Sequence, residues 1–438
     1  MHDSNYTPTR RGFLGLALGA GALGVAGTAT PARARVRTSA KILILGAGAA
    51  GAALANRLTE RLDGAAITLV DGRKEHWYQP GFSLIAAGLK PASYSVSQTT
   101  DWLPKGVTLK QDWAANIDPE SRKVALQGGE VLSYDYLIVA TGLTLDHDAI
   151  EGFSLDMVGK NGIGALYAGP EYAARTWAAA SQFIDGGGVG LFTRPATEMK
   201  CAGAPLKHTF LIDDLARKAG TRGKMDVRYM ANNKSLFGVP IVAEKVRMLF
   251  GDRGIGADYA HVLTSLDAGA KRATFNTPEG AVERAYDYIH VIPPQRAPDV
   301  VRQSGLSWAD KWEDQGWVEV DKATLRHNRY PEVFALGDVA GVPKGKTAAS
   351  VKWQVPVVEE HLVAQIAGDT TDAAYNGYTS CPLITQVGRA MLIEFDYNNN
   401  LTPSFPGIIA PLEELWISWL MKEVALKATY NAMLRGKA

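Results

Sequence analysis

The stretch Lys41–Asp71, KILILGAGAAGAALANRLTERLDGAAITLVD, decides how this chain is read. It runs as strand, tight turn, helix and strand. Ile42 to Leu45 form a short apolar run suited to a strand buried on both faces. Gly46, Gly48 and Gly51 follow in the spacing G-x-G-x-x-G. The first permits the tight turn, the second lets the backbone approach a pyrophosphate, and the third lets the helix pack close to the strand. The helix turns its free N–H groups and positive dipole end toward the phosphates. Ile67 to Val70 make the second strand, and Asp71 closes it, 20 residues past Gly51. A carboxylate there binds a ribose hydroxyl pair. The unit as a whole predicts a dinucleotide site.

The rest of the chain is built around that unit. Its 438 residues predict two or three domains. A formal net charge of +1 gives no electrostatic footprint for nucleic acid. Two cysteines do not make a disulfide scaffold. Residues 1–34 read as an export signal: Arg10 and Arg11 stand before an apolar run rich in Gly and Ala, and Ala32-Arg33-Ala34 fits a cleavage site. Without them the chain is almost neutral.

Several later segments return to the first glycine turn. His76–Pro91 is aromatic and ends in small residues; it would run along a flavin, and it holds no cysteine for a thioether. Val107–Asp118 reads as a strand with Ala114, Ala115 and Ile117, and Ala115 is a candidate cofactor contact. Tyr134–Ala140 is an apolar strand closed by Thr141-Gly142. Tyr330–Leu336 delivers Gly337-Asp338, whose carboxylate would take a bond from a ribityl chain. Lys346-Thr347-Ala348-Ala349-Ser350 opens a helix whose N-terminus would stabilise a reduced, anionic ring. The order of these pieces argues for FAD rather than free NAD.

Between them, residues 160–290 form a second α/β region. Its strand Gly187–Thr193 leads into Ala196–Pro205, which has no glycine triplet and carries Cys201 instead. A nicotinamide dinucleotide therefore has no seat there, and the flavin is not expected to be reduced by NAD(P)H. Cys201 precedes a helix beginning near Pro205 with Lys207 and His208, and both a helix N-terminus and a cation lower a thiol's pKa. Cys201 also reads as an ordinary small buried residue. Cys381 lies 180 residues further on, in YTSCPL. Spacing alone pairs nothing; a structural disulfide and a redox pair both stand open. No histidine has metal-ligand spacing to either cysteine. Residues 411–438 recur at helical spacing with charges that forbid a membrane span, and Trp416 and Trp419 suit a helix in a bilayer interface, a core cover or a dimer contact.

Taken together, YQPGFSLIAAG (78–88), KCAGAPLKH (200–208), IPPQRAPDV (292–300), VFALGD (333–338), KTAAS (346–350), YTSCPL (378–383), LIEFDY (392–397) and MLRG (433–436) closely resemble the sulfide:quinone oxidoreductases. The 292–296 stretch is also similar to the flavin subunit of flavocytochrome c sulfide dehydrogenases. The resemblance implies an α/β fold with two Rossmann-like dinucleotide-binding domains plus a C-terminal membrane-association region. The expected division is an export signal (1–34), an FAD domain (35–155), a second Rossmann-like domain without nucleotide (156–290), the FAD domain's return (291–365) and a C-terminal region (366–438). It further implies non-covalent FAD held by Gly46, Gly48, Gly51, Asp71, Ala115, Thr141, Gly142, Gly337, Asp338 and Lys346. Cys201 and Cys381 would share a disulfide or a sulfur-bridged form of it. Hydrosulfide would attack Cys381, leaving a persulfide there and a thiolate on Cys201 that attacks the flavin at C4a, with Lys207 stabilising anions. A second nucleophile (sulfite, a thiol or sulfide) would take the sulfur. Electrons would pass to membrane quinone near Phe395, or alternatively to a cytochrome c partner. The expected location is the periplasm, on the outer face of the inner membrane, with a homo-oligomer possible and no nucleic-acid partner.

Overall fold

The computed structural model describes residues 35–438, so the signal expected over 1–34 lies outside the described residues. Ile42, Leu43, Ile44 and Leu45 are all buried, as an unbroken apolar run requires, and form β1 (Lys41–Leu45). Then come α1 (Ala49–Arg61), β2 (Ala66–Val70), β3 (Thr108–Lys110), β4 (Ala114–Asp118) and β5 (Tyr136–Val139). Strands β5, β1, β2 and β3 lie side by side and parallel, and the later strand Val333–Ala335 pairs with β5 at the other edge. The expected single strand over 107–118 is two strands in different sheets. The carboxylate of Asp112 accepts N–H bonds from Trp113 and Gly128 and turns the chain, so that β4 joins an antiparallel meander instead.

A second parallel sheet is built from β6 (Ile163–Gly164), β7 (Gly188–Thr193), β8 (Met225–Met230), β9 (Gly256–Asp258) and β10 (Tyr288–His290), in the order β6-β10-β7-β8-β9. Helix α2 (Pro170–Gly186) crosses before β7, and α3 (Ala204–Lys218) follows it. The chain then returns to the first sheet through β11 (Val333–Ala335) and enters α4 (Ala348–Ala367). An antiparallel hairpin follows, β12 (Thr379–Gln386) and β13 (Arg389–Phe395).

Core packing explains how distant segments meet. The hairpin gives Cys381, Leu383, Met391, Ile393 and Phe395 to the same apolar cluster as Phe192, Leu206, Phe210 and Tyr229 of the second sheet and α3. The first sheet, α1 and α4 share another cluster with Tyr430, Met433 and Leu434 from the chain's end.

The C-terminus differs from the single amphipathic helix expected over 411–438. It forms α5 (Trp416–Leu420), a π-helical turn (Met421–Ala425) and α6 (Leu426–Leu434). Trp416 and Val424 are exposed, but Trp419, Lys422, Tyr430 and Met433 face inward. Lys422 is therefore not on a polar outer face. Among the described residues, no helix is long and apolar enough to cross a membrane.

Candidate active site

Cys201 sits in the loop between β7 and α3, where a nucleotide-binding turn would carry glycines. Hydrogen bonds to the surrounding elements hold the loop in place. Thr197 Oγ1 accepts from the Gln295 N–H, and Gln295 Oε1 accepts from the Lys200 N–H, both at 2.9 Å. The Cys201 N–H donates to Lys346 O at 2.9 Å, and Cys201 O accepts from the Tyr167 hydroxyl at 2.8 Å. Between them Cys201 is held at φ 45°, in the left-handed region. A non-glycine residue there costs on the order of 1–3 kcal/mol, which surrounding structure must impose.

Cys381 arrives from β12, opposite Ile393. It reaches Cys201 over Gly203: a Cβ on that glycine would stand 2.3 Å from Cys381 Sγ. Both cysteines are free thiols here, and the two side chains hydrogen-bond each other. Lys207, buried on the first turn of α3, donates its Nζ to Cys201 Sγ at 3.4 Å.

The pair is polarised. The hydrogen bond from Cys381, opposed by burial and helped by the Lys207 charge, holds Cys201 well below the usual thiol range. The same bond, with burial, pushes Cys381 up. The pair is thus asymmetric, with Cys201 pushed toward the thiolate and Cys381 toward the thiol. Burial works against the Lys207 charge, but the two cysteines outweigh it and raise its pKa.

Cys201 opens onto an elongated cleft whose wall runs from the first glycine turn to the loop after β7, an extent suited to a dinucleotide. The cleft is lined by Gly48 and Asp71 from the first motif, by Thr141 and Gly142, by Gly337, Asp338 and Lys346, and by Cys201 and Lys207. Gly46 and Gly51 lie beneath the lining. Gly46 has φ 103°, and a Cβ on Gly51 would fall 1.9 Å from Gly46 O. The turn therefore exists only with glycines at both positions.

The residues fit a flavin dinucleotide. A Cβ on Gly48 would meet nothing, so the turn's backbone faces open space. Asp71 is buried, and its Oδ2 accepts the Ala47 N–H at 2.7 Å, fixing the carboxylate at the cleft wall. Thr141 Oγ1 is buried without a partner. Burial raises Asp338, opposed by Lys200 and Lys346. Thr347 caps α4 by accepting the Ser350 N–H, so the positive end of this 20-residue helix faces the cleft. Lys346 spends its own ammonium on Asp338 O (2.6 Å) and Ala340 O (3.1 Å).

Two candidate residues lie elsewhere. Ala115 is exposed on β4, where the register slips between Ala114 and Asn116, and it is absent from the cleft wall. Phe395 packs edge-on against Phe237 in the second core, with Lys344 Nζ 5.5 Å above its ring, and does not line the cleft either.

The structure also adds residues. Lys422 reaches into the cleft and donates to Pro80 O at 2.7 Å. Burial and the neighbouring Lys207 charge pull it down to about 7. Lys200 lines it as well, with Nζ 2.7 Å from Gln79 Oε1, and burial lowers it to about 8. Tyr430 lines the cleft too, its hydroxyl 2.7 Å from His76 Nε2. One signal for Lys422 was available: Trp419, Lys422, Leu426, Tyr430 and Met433 recur at spacings of three and four on one helical stripe. No group of His, Cys, Asp and Glu suited to a metal occurs among the described residues.

Comparison with known proteins agrees with this architecture. The family model for pyridine nucleotide-disulphide oxidoreductases matches residues 40–189. The chain is 34% identical to the mitochondrial sulfide:quinone oxidoreductase of Mus musculus over 394 residues, 88% of this chain and 84% of that one. It is 34% identical to the corresponding protein of Dictyostelium discoideum, with the same coverage. Among solved structures, the sulfide:quinone oxidoreductase from Aquifex aeolicus superposes with a TM-score of 0.75 at 19% identity, covering 91% of this chain and 92% of that one, a likeness of fold. With two parallel sheets, a dinucleotide cleft and relatives at this identity along nearly all of its length, the chain is an oxidoreductase of the sulfide:quinone oxidoreductase family.

Proposed function

We propose that this protein oxidises hydrosulfide through Cys201 and Cys381 and passes two electrons by way of bound FAD to a quinone. The observation that carries this reading is the meeting of two cysteines 180 residues apart in the sequence, Cys201 at the wall of a dinucleotide cleft and Cys381 beside it.

FAD, held non-covalently by the glycine turn, Asp71, Thr141-Gly142 and Gly337-Asp338, supplies a two-electron acceptor. The chain's own residues do the sulfur chemistry. In the oxidised enzyme Cys201 and Cys381 share a disulfide. Hydrosulfide attacks Cys381 Sγ, a new S–S bond forms, the disulfide breaks, and Cys201 leaves as thiolate. Lys207 and Lys422 stabilise that thiolate by charge. A second nucleophile takes the outer sulfur and leaves Cys381 as thiolate. When the two thiolates of Cys201 and Cys381 close the disulfide again they release an electron pair, which FAD held in the cleft would accept and a quinone, taking up two protons, would draw off. We place quinone entry on the side of the hairpin that carries Phe395. The exposed apolar side chains of Phe405, Ile408, Trp416 and Val424 support a membrane surface as partner. Export to the periplasm rests on residues 1–34.

The test is anaerobic addition of sulfide to the purified yellow protein, followed by a short-chain quinone. Bleaching of the flavin and reoxidation by quinone are expected. Cys201→Ser and Cys381→Ser should each keep FAD but slow bleaching at least 100-fold. A wild-type protein that sulfide leaves yellow removes the reading.

A further inference from the structure

Each time hydrosulfide opens the disulfide, Cys201 loses its covalent tie to Cys381 and must stay in place as a thiolate until the pair closes again. Its backbone would not stay there unaided. At φ 45° a residue with a Cβ is strained, and a free loop relaxes out of the left-handed region. Hydrogen bonds hold it instead. The Cys201 N–H donates to Lys346 O at 2.9 Å. Cys201 O accepts from the Ala204 N–H, inside the same turn, and from the Tyr167 hydroxyl, on another element, both at 2.8 Å.

Tyr167 is itself well fixed. It lies in the short turn Leu166–Ala168, between β6 and α2, and is 5% exposed. Just before it, the Ala165 N–H donates to Thr176 Oγ1 of α2 at 2.8 Å. Just after it Gly169, at φ 145°, turns the chain into that helix. The ring shares an apolar cluster with Phe82, Met199 and Ala204, and Lys200 Nζ stands 5.7 Å from its centroid. Burial pushes the hydroxyl's pKa well above its ordinary range, so it remains a donor wherever the cysteines titrate. One fixed side chain thus touches both members of the Lys200-Cys201 step.

We propose that Tyr167 is a positioning residue for the redox pair: by donating to Cys201 O it holds Cys201 in its left-handed backbone, which keeps Sγ against Lys207 and Cys381 while no disulfide joins the two. The inference rests on the redox role proposed above for the pair. Without the hydroxyl, the Ala204 N–H would still bond that carbonyl, but it belongs to the loop and moves with it. The strain would relax and carry Sγ away from Lys207 Nζ, now 3.4 Å distant. The thiolate would lose its contact with that cation. Closing the disulfide would first have to restore the strained conformation.

The experiment compares Tyr167→Phe, Tyr167→Met, Lys207→Met and the double variant Tyr167→Phe with Lys207→Met against the wild type, all as FAD-loaded full-length proteins. Two properties are read without sulfide: the pH midpoint for iodoacetamide alkylation of Cys201, and the disulfide fraction in anaerobic glutathione buffers. The cations acting on Cys201 Sγ are Lys207 and Lys422, and Tyr167→Phe keeps both, so a moved midpoint reports distance rather than lost charge. In Tyr167→Phe the midpoint should rise by about half a unit, and the disulfide's equilibrium constant should fall about three- to tenfold, the fold-change of one hydrogen bond. Tyr167→Met should match it in both. The double variant should shift the midpoint no further than Lys207→Met alone, because Tyr167 acts through that contact; a merely structural residue would add its own shift. A Tyr167→Phe midpoint within about 0.2 unit of wild type with a disulfide constant within about two-fold overturns the proposal. So do additive shifts, or changes in Tyr167→Met that Tyr167→Phe lacks, which would assign the effect to ring packing. Sulfide bleaching of the wild type keeps the two readings apart. If sulfide leaves it yellow, the sulfide-oxidising reading falls whatever the thiols show; if it bleaches and the thiols of Tyr167→Phe are unmoved, this inference falls by itself.

Discussion

Single side chains set which sulfur is charged. Removing the Lys207 ammonium, 3.4 Å from Cys201 Sγ, takes away a charge that lowers the thiol's pKa. In Lys207→Met, the pH midpoint for alkylation of Cys201 should move up, by about one unit or more for a charge in direct contact. Rates of iodoacetamide reaction against pH measure it, and an unmoved midpoint refutes the charge assignment. Lys422 acts on the same thiolate from further away. With its pKa pulled down to about 7, it carries charge below neutrality and loses it as pH rises. The wild type should therefore lose thiolate support across that range, and Lys422→Met should lack that dependence, with a smaller upward shift than Lys207→Met. The sequence identified Cys201, Cys381 and Lys207, because they stand in short distinctive motifs. It did not single out Lys422, because a lysine in an amphipathic stretch is read as solvated unless the register of its neighbours is followed.

At the scale of elements, a strained loop and a docked hairpin carry the two sulfurs. Gly203 leaves the gap through which Cys381 reaches Cys201. In Gly203→Ala the added methyl would overlap Cys381 Sγ, so the disulfide should form more slowly after reduction while FAD stays bound. Thiol titration beside the visible spectrum separates the two effects, and unimpaired reoxidation contradicts the close approach. The end of the chain is fastened just as specifically. Tyr430 bonds His76, Lys422 bonds Pro80 O, and Asn56 donates to Leu434 O at 2.9 Å. Tyr430→Phe removes one buried bond and leaves His76 without it, a loss of about 1–3 kcal/mol in unfolding free energy that denaturant titration can measure. The helices and parallel strands were legible from periodicity and glycine spacing. The break of 107–118 into two strands was not, because it hangs on the side chain of one aspartate, Asp112, bonding across the turn.

At the scale of the whole molecule, two sheets and a hairpin enclose the cleft, and four exposed apolar side chains stand close together in sequence near the end of the chain. Phe405, Ile408, Trp416 and Val424 all lie within residues 405–424. If they meet a bilayer, Ile408→Asp with Val424→Asp should cut co-sedimentation with phospholipid vesicles several-fold and leave sulfide bleaching intact; equal binding by the double variant removes the membrane surface. The sequence by itself determined the first dinucleotide unit, the absence of a second glycine turn and the identity of both redox candidates. These are local properties, written in the spacing of glycines and the chemistry of short motifs. Only the tertiary structure decided that the thiols meet, that their surroundings favour charge on Cys201 over Cys381, that Lys422 turns inward, and that Ala115 and Phe395 stand away from the cleft. Contacts between residues 180 apart depend on how a hairpin packs against α3, and burial, which pulls down Lys200 and Lys422, belongs to the assembled core rather than to any one segment.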